Sequence, residues 1–294
     1  MRKKMNGGRG LSQLIIYVVL SALAISIVVP VAWVFMASLR QDNEFYGSPW
    51  TLPAGLHFQN FADAWGEARM GEYFLSSVLV TGMGIILLLA LALPAAYALS
   101  RFRFRGHKVT GIFLMAGLFI NMNYIVVPIF LMFVDADKAL RTLFGGPFFM
   151  NNLFILALVY ASTALPFTIY LLTGYLSTLP KEFEEAAYVD GAGYFATMIK
   201  VIMPMAKPSI VTVILFNFLF FWNEYILSMT LLTEMNGNRT LPVGLMNLMK
   251  AGKAAAHFGQ MYAGLVMVML PTLILYIFVQ KKLTQGMTVG GLKG

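Results

Sequence analysis

The sequence has no cysteine among its 294 residues. Disulfide frameworks, thiolate metal sites and cysteine nucleophiles are therefore excluded. Charged residues are also scarce, at 12% of the chain, whereas a soluble domain carries roughly 25%. The three histidines, His57, His107 and His257, lie far apart in sequence. None has a second His or Cys at the spacing of a zinc site, so no metal site is predicted.

Motifs for nucleotide chemistry and covalent catalysis are missing as well. Gly252-Lys253-Ala254 lacks the final Ser or Thr and the earlier glycine of a phosphate-binding loop. We therefore expect the chain neither to hydrolyse ATP itself nor to bind a cofactor. No nucleophile is paired with a base, so no catalytic residue is predicted. The formal charge of +8 fits the basic cytoplasmic loops of a membrane protein better than it fits nucleic-acid binding.

Apolar residues, by contrast, make up 59% of the chain. An uncharged apolar run of about 18 or more residues predicts a transmembrane helix. A cleaved signal peptide is disfavoured, because the first run continues well past the small residues at 22–24. We predict an all-α membrane protein with a single domain over residues 1–294 and six transmembrane helices, at residues 11–39, 73–100, 109–134, 153–176, 208–233 and 259–280.

The distribution of Lys and Arg predicts the orientation of these spans. Basic residues collect in the cytoplasmic loops of membrane proteins. Fourteen of the 21 lie in the N-terminus, the 101–108 loop, the 179–208 segment and the tail at 281–294. These four stretches fall on the same side of six spans. We therefore expect both termini and the 179–208 segment to be cytoplasmic.

The segment 179–208, which we call the elbow, is a polar interruption between the fourth and fifth predicted spans. Pro180 suits the first turn of a helix, and Glu182, Glu184 and Glu185 follow where the helix dipole favours negative charge. Asp190-Gly191 predicts a sharp turn, because glycine adopts positive φ readily. The pattern predicts a helix–turn–helix.

The second helix of the elbow is predicted over residues 193–202, ended by Pro204 and Pro208. On periodicity alone, an ordinary amphipathic loop at the membrane surface is the favoured explanation of the elbow. The apolar positions expected to share one face of this helix are Tyr194, Phe195, Met198, Ile199 and Ile202.

The sequence motif of the elbow resembles the EAA loop of ABC-importer permeases. That pattern is Glu-Ala-Ala, three residues, Gly, nine residues, Ile, one residue and Leu-Pro. Val201 and Met203 replace Ile and Leu conservatively, since each keeps an apolar group of similar size. The matching positions are Glu185-Ala186-Ala187, Gly191, Val201 and Met203-Pro204.

Two further stretches, at 221–225 (FWNEY) and 239–245 (RTLPVGL), are similar to the carbohydrate branch of that family, as is the glycine-rich ending at 286–294. The chain resembles the second, maltose-type permease subunit over nearly its whole length. The resemblance implies a multi-pass subunit of the bacterial inner membrane, in a binding-protein-dependent importer of a sugar or oligosaccharide that works by alternating access. It implies three partners: a second permease subunit, a cytoplasmic ATPase dimer that holds ATP and Mg, and an extracytoplasmic solute-binding protein.

In that family the EAA loop forms a coupling helix that docks into a groove on the ATPase. The resemblance also implies an ATPase contact by the C-terminal tail, at Gln285, Gly286 and Gly290, although glycine-rich tails are often disordered. The residues of the elbow that we expect to couple to the ATPase are Glu185, Ala186, Ala187, Asp190, Gly191 and Pro204.

Polar residues inside the predicted spans suggest where substrate passes. A central charge costs about 2.5–3.5 kcal/mol on insertion scales, so such groups usually face a cavity or another subunit. The alternatives are helix–helix contacts for the asparagines and a water-exposed interfacial position for Glu224. The predicted path residues are Asn121, Asn123, Asn217, Trp222, Asn223 and Glu224.

Two other functions are left open by the residues themselves. An ion-coupled secondary transporter is expected to carry paired intramembrane acids, and Glu224 is the single acid in the predicted spans. A membrane-embedded enzyme requires a catalytic constellation, which is missing from the sequence.

Overall fold

The computed structural model describes residues 7–47, 50–145, 147–233 and 238–290; for residues 7–11, 142–144 and 281–290 it describes the backbone alone. All regular secondary structure in these residues is helical. A short 3₁₀ helix (Asp42–Tyr46) and a π-helical stretch (Met198–Ile202) accompany the α-helices. The α-helices are α1 (Gly7–Ala37), α2 (Gln59–Trp65), α3 (Met70–Arg101), α4 (His107–Gly117), α5 (Met122–Phe144), α6 (Leu153–Leu176), α7 (Glu182–Val189), α8 (Tyr194–Thr197), α9 (Met203–Met205), α10 (Lys207–Asn223), α11 (Ile226–Leu231), α12 (Leu241–Ala255) and α13 (Phe258–Gly290).

Four helical segments are long and apolar enough to cross a membrane: Ser12–Ala37, Met70–Arg101, Leu153–Leu176 and Phe258–Gln280. Two more spans are formed if each of two bent helix pairs counts as one. His107–Gly117 meets Met122–Arg141 at 99°, and Tyr194–Met205 meets Lys207–Asn223 at 78°. Within the described residues, the protein is thus an all-helical membrane protein with four to six candidate spans.

The third predicted span, 109–134, is wrong as a single helix. α4 ends at Gly117 and α5 begins at Met122. Asn121 causes the restart, because its side-chain oxygen accepts the Asn123 backbone N–H at 3.0 Å and caps the new helix. α5 then runs on to Phe144, into a segment predicted as loop, and ends where Gly145 takes φ +70°.

The fifth predicted span, 208–233, is also interrupted. α10 ends at Asn223, and Glu224 has extended backbone angles (φ −68°, ψ 126°). The break is stabilised because the Glu224 carboxylate accepts the backbone N–H groups of Leu227 and Ser228, which begin α11. The following loop, predicted over 234–258, contains α12 (Leu241–Ala255) in its described part.

Two predicted helix ends lie further along the chain than the sequence indicated. Pro204 does not end the second helix of the elbow, because it lies where the backbone passes from the π-helical stretch back to α-helix in α9. That helix ends at Met205. Residues 281–290, predicted as tail, continue α13 without a break to Gly290. Residues 291–294 lie outside the described part of the chain.

The chain divides into two compact units. The first comprises the described residues of 1–69 together with Leu245–Met269. Arg40 lies at its centre, 1% exposed. Its Nη2 donates hydrogen bonds to the Glu44 carbonyl at 2.8 Å and to the Thr51 hydroxyl at 2.7 Å. The guanidinium carbon also lies 5.0 Å from the centroid of the Phe45 ring, and Nε lies 3.7 Å from the Glu44 carboxylate.

The second unit comprises Met70–Gly244 and the described residues from Leu270 onward. Its centre is the packing of α3 against α6, with α10 against both. Small residues let the backbones of membrane helices approach closely. Those buried in this core are Ala92 and Ala96 on α3 and Ala157, Ala161 and Ala164 on α6.

Candidate functional site

The turn of the elbow follows α7, as the sequence predicted. Gly191 has φ +81°, in the left-handed region that glycine enters without strain. The Ala192 N–H donates to the Ala187 carbonyl at 2.9 Å, and the Gly191 N–H donates to the Tyr188 carbonyl at 3.0 Å. This is the Schellman pattern, which satisfies the last carbonyls of a helix. The chain therefore reverses sharply just after the Glu-Ala-Ala sequence.

The predicted apolar face of the second elbow helix is divided. Met198 and Ile202 are buried, but Tyr194, Phe195 and Ile199 are 66%, 70% and 43% exposed. The division follows position along the helix: Met198 and Ile202 belong to the hydrophobic core cluster, whereas Tyr194 and Phe195 lie in the turn before them, outside that cluster.

The elbow thus presents an exposed surface that is rich in apolar side chains. Among the predicted coupling residues, Glu185, Ala186, Asp190, Gly191 and Pro204 are exposed, whereas Ala187 is buried. Exposed apolar patches of this kind mark sites of contact with a protein or a membrane. The apolar members of the patch are Phe183, Val189, Tyr194 and Phe195.

A buried ion pair holds the elbow to α3. Arg101 Nε lies 2.8 Å from Glu184 Oε1, and the two side chains are only 3% and 8% exposed. The N–H bond is not aligned on that oxygen, so the contact is an ion pair and not a linear hydrogen bond. Arg101 Nη2 also donates to the Leu179 carbonyl at 3.0 Å. The sequence analysis did not predict that Arg101 and Glu184 form a pair. The available signal was that Glu184 and the small Ala187 share one face of α7.

Four aromatic rings link the same two elements as this ion pair. Phe102 packs edge-on against Tyr97 at 5.5 Å and against Tyr194 at 5.4 Å, measured between centroids. Tyr188 packs against Tyr194 at 5.3 Å, and its hydroxyl lies 3.5 Å from that of Tyr97. Four rings therefore join the end of α3 to both helices of the elbow.

Glu224, a predicted path residue, is buried at the junction of α10 and α11. Its Oε2 accepts the Tyr160 hydroxyl at 2.7 Å and the Ser228 N–H at 3.0 Å. Its Oε1 accepts the Leu227 N–H at 2.7 Å. The carboxylate therefore caps α11 and ties it to α6, and it is not in the water-exposed position that the sequence left open.

The other predicted path residues divide into buried and exposed groups. Asn217 is buried and donates to the Thr168 hydroxyl at 3.1 Å, which is the helix–helix contact kept as the alternative. Trp222 is buried between the rings of Phe74 and Phe218. Asn121, Asn123 and Asn223 are exposed.

A cavity of about 850 Å³ lies between α4, α6 and the first half of α10. Two of its polar atoms, His107 Nδ1 and Thr173 Oγ1, are buried without a hydrogen-bond partner. None of the predicted path residues lines it. The signal for this cavity in the sequence was the serines and threonines of α6 and α10, which the sequence analysis treated only as parts of predicted spans. The remaining walls include Leu114, Met115, Tyr170, Ser209, Thr212 and Phe216.

Comparison with known families matches residues 89–288 to the inner membrane component of binding-protein-dependent transport systems. The chain belongs to this family. The resemblance carried by the EAA loop is thereby confirmed, and the protein is a permease subunit of a multi-pass membrane transporter. The ion-coupled alternative receives no support from these comparisons.

Curated relatives extend over almost the whole permease. It is 32% identical to the diacetylchitobiose uptake system permease protein NgcG of Streptomyces coelicolor, over 91% of this chain and 84% of that protein. It is 29% identical to the melibiose/raffinose/stachyose import permease protein MelC of Bacillus subtilis, over 99% of this chain and 100% of that protein.

A solved structure shares the fold of the permease. It belongs to a bacterial ABC transporter involved in the import of the acidic polysaccharide alginate. The TM-score is 0.80 at 24% identity, covering 95% of this chain and 99% of that one. Among the residues described in the present structure, no group of three or more acidic or histidine side chains could hold a metal ion.

Proposed function

We propose that this permease subunit imports a sugar or oligosaccharide by alternating access, powered by a separate ATPase. The named relatives are permease proteins for diacetylchitobiose uptake and for melibiose, raffinose and stachyose import, which supports a carbohydrate substrate. We place six spans in the bacterial inner membrane, with both termini and the elbow in the cytoplasm, because the basic residues concentrate on that side. The subunit supplies geometry and binds no cofactor itself.

The observation that carries this proposal is the exposed elbow surface. A helix whose exposed face combines Glu185 and Ala186 with Val189, which is 87% exposed, is suited to insertion into a groove of another protein. We assign that groove to the ATPase dimer, which holds ATP and Mg. Asp190, Gly191 and Pro204 are exposed on the same elbow and belong to this contact. Ala187 is buried, so it lies on the face of the helix that packs against the rest of the permease.

A second ATPase contact is proposed for the end of α13. The helix carries Gln285, Gly286 and Gly290 as a continuous extension of the last span. The side chains at 281–290 lie outside the described residues, so this assignment depends on the family resemblance and on the helix direction alone.

The substrate path is proposed to run between this subunit and a second permease subunit. Asn121, Asn123 and Asn223 are exposed beside the two helix breaks, where polar groups in a membrane protein usually face a cavity or a partner. Asn217, Trp222 and Glu224 lie behind them and hold the broken helices in place. In this proposal an extracytoplasmic solute-binding protein delivers the sugar, and the family's dependence on a binding protein supports that role.

Thiol labelling tests the orientation and the ATPase contact together. The chain has no cysteine, so Val189→Cys introduces a single thiol on the elbow, and Tyr46→Cys, at a 74% exposed side chain, is the matched control. A membrane-impermeant maleimide should label Cys at 46 in intact cells and Cys at 189 only in inverted vesicles. Crosslinking from position 189, and not from 46, should capture the ATPase. Labelling of both positions from the same side would contradict the proposed topology.

Reconstitution tests the transport function. Sugar uptake into proteoliposomes should require the second permease subunit, the ATPase and ATP, and should be insensitive to ion gradients. Uptake by this chain alone, driven by an ion gradient, would overturn the proposal in favour of a secondary transporter.

A further inference from the structure

The ion pair between Arg101 and Glu184 connects the first helix of the elbow to the end of α3. Arg101 belongs to a loop of four basic residues, but Arg103, Arg105 and Lys108 are exposed while the Arg101 side chain is 3% exposed. The three exposed charges satisfy the usual preference for basic cytoplasmic loops. The burial of Arg101 therefore requires a separate explanation.

Burial of both charges is not an efficient way to gain stability. An exposed ion pair contributes little, and a buried one must first offset the desolvation of two ions. A buried pair does, however, keep its two elements together, because neither charge can move away from the other without being left unpaired. Arg101 also donates to the Leu179 carbonyl at the start of the elbow. The guanidinium thus holds the elbow at two points, one before α7 at Leu179 and one within α7 at Glu184.

Four aromatic rings add a second set of contacts to this connection. Tyr97 and Phe102 of the α3 end pack with Tyr188 and Tyr194 of the elbow. For α7 to move away from the end of α3, both the ring contacts and the ion pair would have to break. α3 in turn packs along α6 and α10, so a displacement of its end reaches the centre of the second unit.

We propose that Arg101 and Glu184 are positioning residues for energy coupling. They hold α7 to the end of α3, so that a displacement of the elbow is transmitted to α3 and to the helices packed on it. This inference rests on the proposed function, in which the elbow contacts the ATPase.

The test is the ATP hydrolysed per sugar imported, measured on reconstituted complexes of equal ATPase content. A residue that serves only folding changes the amount of complex and leaves this ratio unchanged. Arg101→Glu and Glu184→Arg should each raise the ratio about tenfold, which corresponds to ~1.4 kcal/mol of lost coupling. The exchanged pair, R101E/E184R, should return it to within about threefold of wild type, ~0.65 kcal/mol on the same scale. Arg103→Glu, the same change at the exposed neighbour, should have no effect.

A neutral pair keeps the proposal testable if the single variants fail to assemble. R101Q/E184Q leaves no buried charge unpaired, so the complex should assemble and still waste ATP. Wild-type coupling in the assembled neutral pair would overturn the proposal, as would an exchanged pair that is no better coupled than the single variants. If the wild-type complex itself shows no ATP-dependent uptake, the proposed function fails instead.

Discussion

The Tyr160 hydroxyl donates a 2.7 Å hydrogen bond to Oε2 of Glu224, across 64 positions of sequence. Two backbone N–H groups complete the surroundings of the carboxylate. The single acid of the predicted spans is therefore occupied in holding α6, α10 and α11 together. A carboxylate committed to three donors is a structural anchor, which agrees with the family assignment and not with an ion-coupled carrier.

Removal of the Tyr160 hydroxyl should destabilise this junction. Tyr160→Phe leaves a buried charged acceptor with one partner fewer, and we expect a loss of about 1–3 kcal/mol of unfolding free energy. Thermal unfolding in detergent measures it. Tyr175→Phe is the control, because the Tyr175 hydroxyl makes only a long 3.5 Å contact to the Met205 carbonyl. Equal melting temperatures for the two variants would contradict the anchor role.

A β-branched residue at Gly191 should disrupt the elbow turn. At φ +81° an L-residue pays roughly 1–2 kcal/mol, although there is open space around the position. Gly191→Val should therefore lower ATPase copurification and uptake while membrane insertion is retained. Gly193→Val is matched, since Gly193 has φ −76° and equally open surroundings. Both variants behaving like wild type would mean that the elbow is an ordinary surface loop.

The two alanines of the EAA sequence should respond differently to the same change. Ala186 is exposed, so Ala186→Glu should leave the permease folded and block ATPase binding, with uptake reduced at least about tenfold, ~1.4 kcal/mol of binding free energy. Ala187 is 8% exposed, so Ala187→Glu should also lower the melting temperature, because it buries an unpaired charge. Copurification and melting curves separate the two effects. A melting temperature lowered equally by both variants would contradict the assigned faces.

Acid should loosen the segment around Glu44. The backbone N–H groups of Gln41 and Ala54 donate to its carboxylate and hold its pKa below the ordinary value of 4.5. A carboxyl with a lower pKa in the folded state stabilises it above the unfolded pKa and loses that contribution as the pH falls through the folded pKa. We therefore expect amide exchange at Ala54 to be protected at neutral pH and to accelerate below pH 4.5.

Glu44→Gln is the control for this pH dependence. The amide cannot ionise, so its exchange rate, corrected for intrinsic pH dependence, should be faster at neutral pH and flat through the acid range. A corrected profile identical to that of the wild type would show that another group titrates.

Features that depend on neighbours along the chain could be predicted from the sequence. Long uncharged runs predicted apolar helices because burying their backbone in lipid requires internal hydrogen bonding. Asp190-Gly191 predicted the turn because a single residue with positive φ suffices for it. The EAA motif indicated the family, which the comparison with known families confirmed.

The tertiary structure alone decided the features that join distant residues. Periodicity cannot show that Glu224, at the break in a predicted span, accepts a hydrogen bond from Tyr160, 64 positions away. Nor can it show which arginine of a basic loop is buried. Arg101 reaches Leu179, 78 positions away, and Glu184 beside it, because α3 and the elbow pack together. The sequence shows that Arg101 is charged, but only the packing of α3 against the elbow shows that Glu184 is its partner.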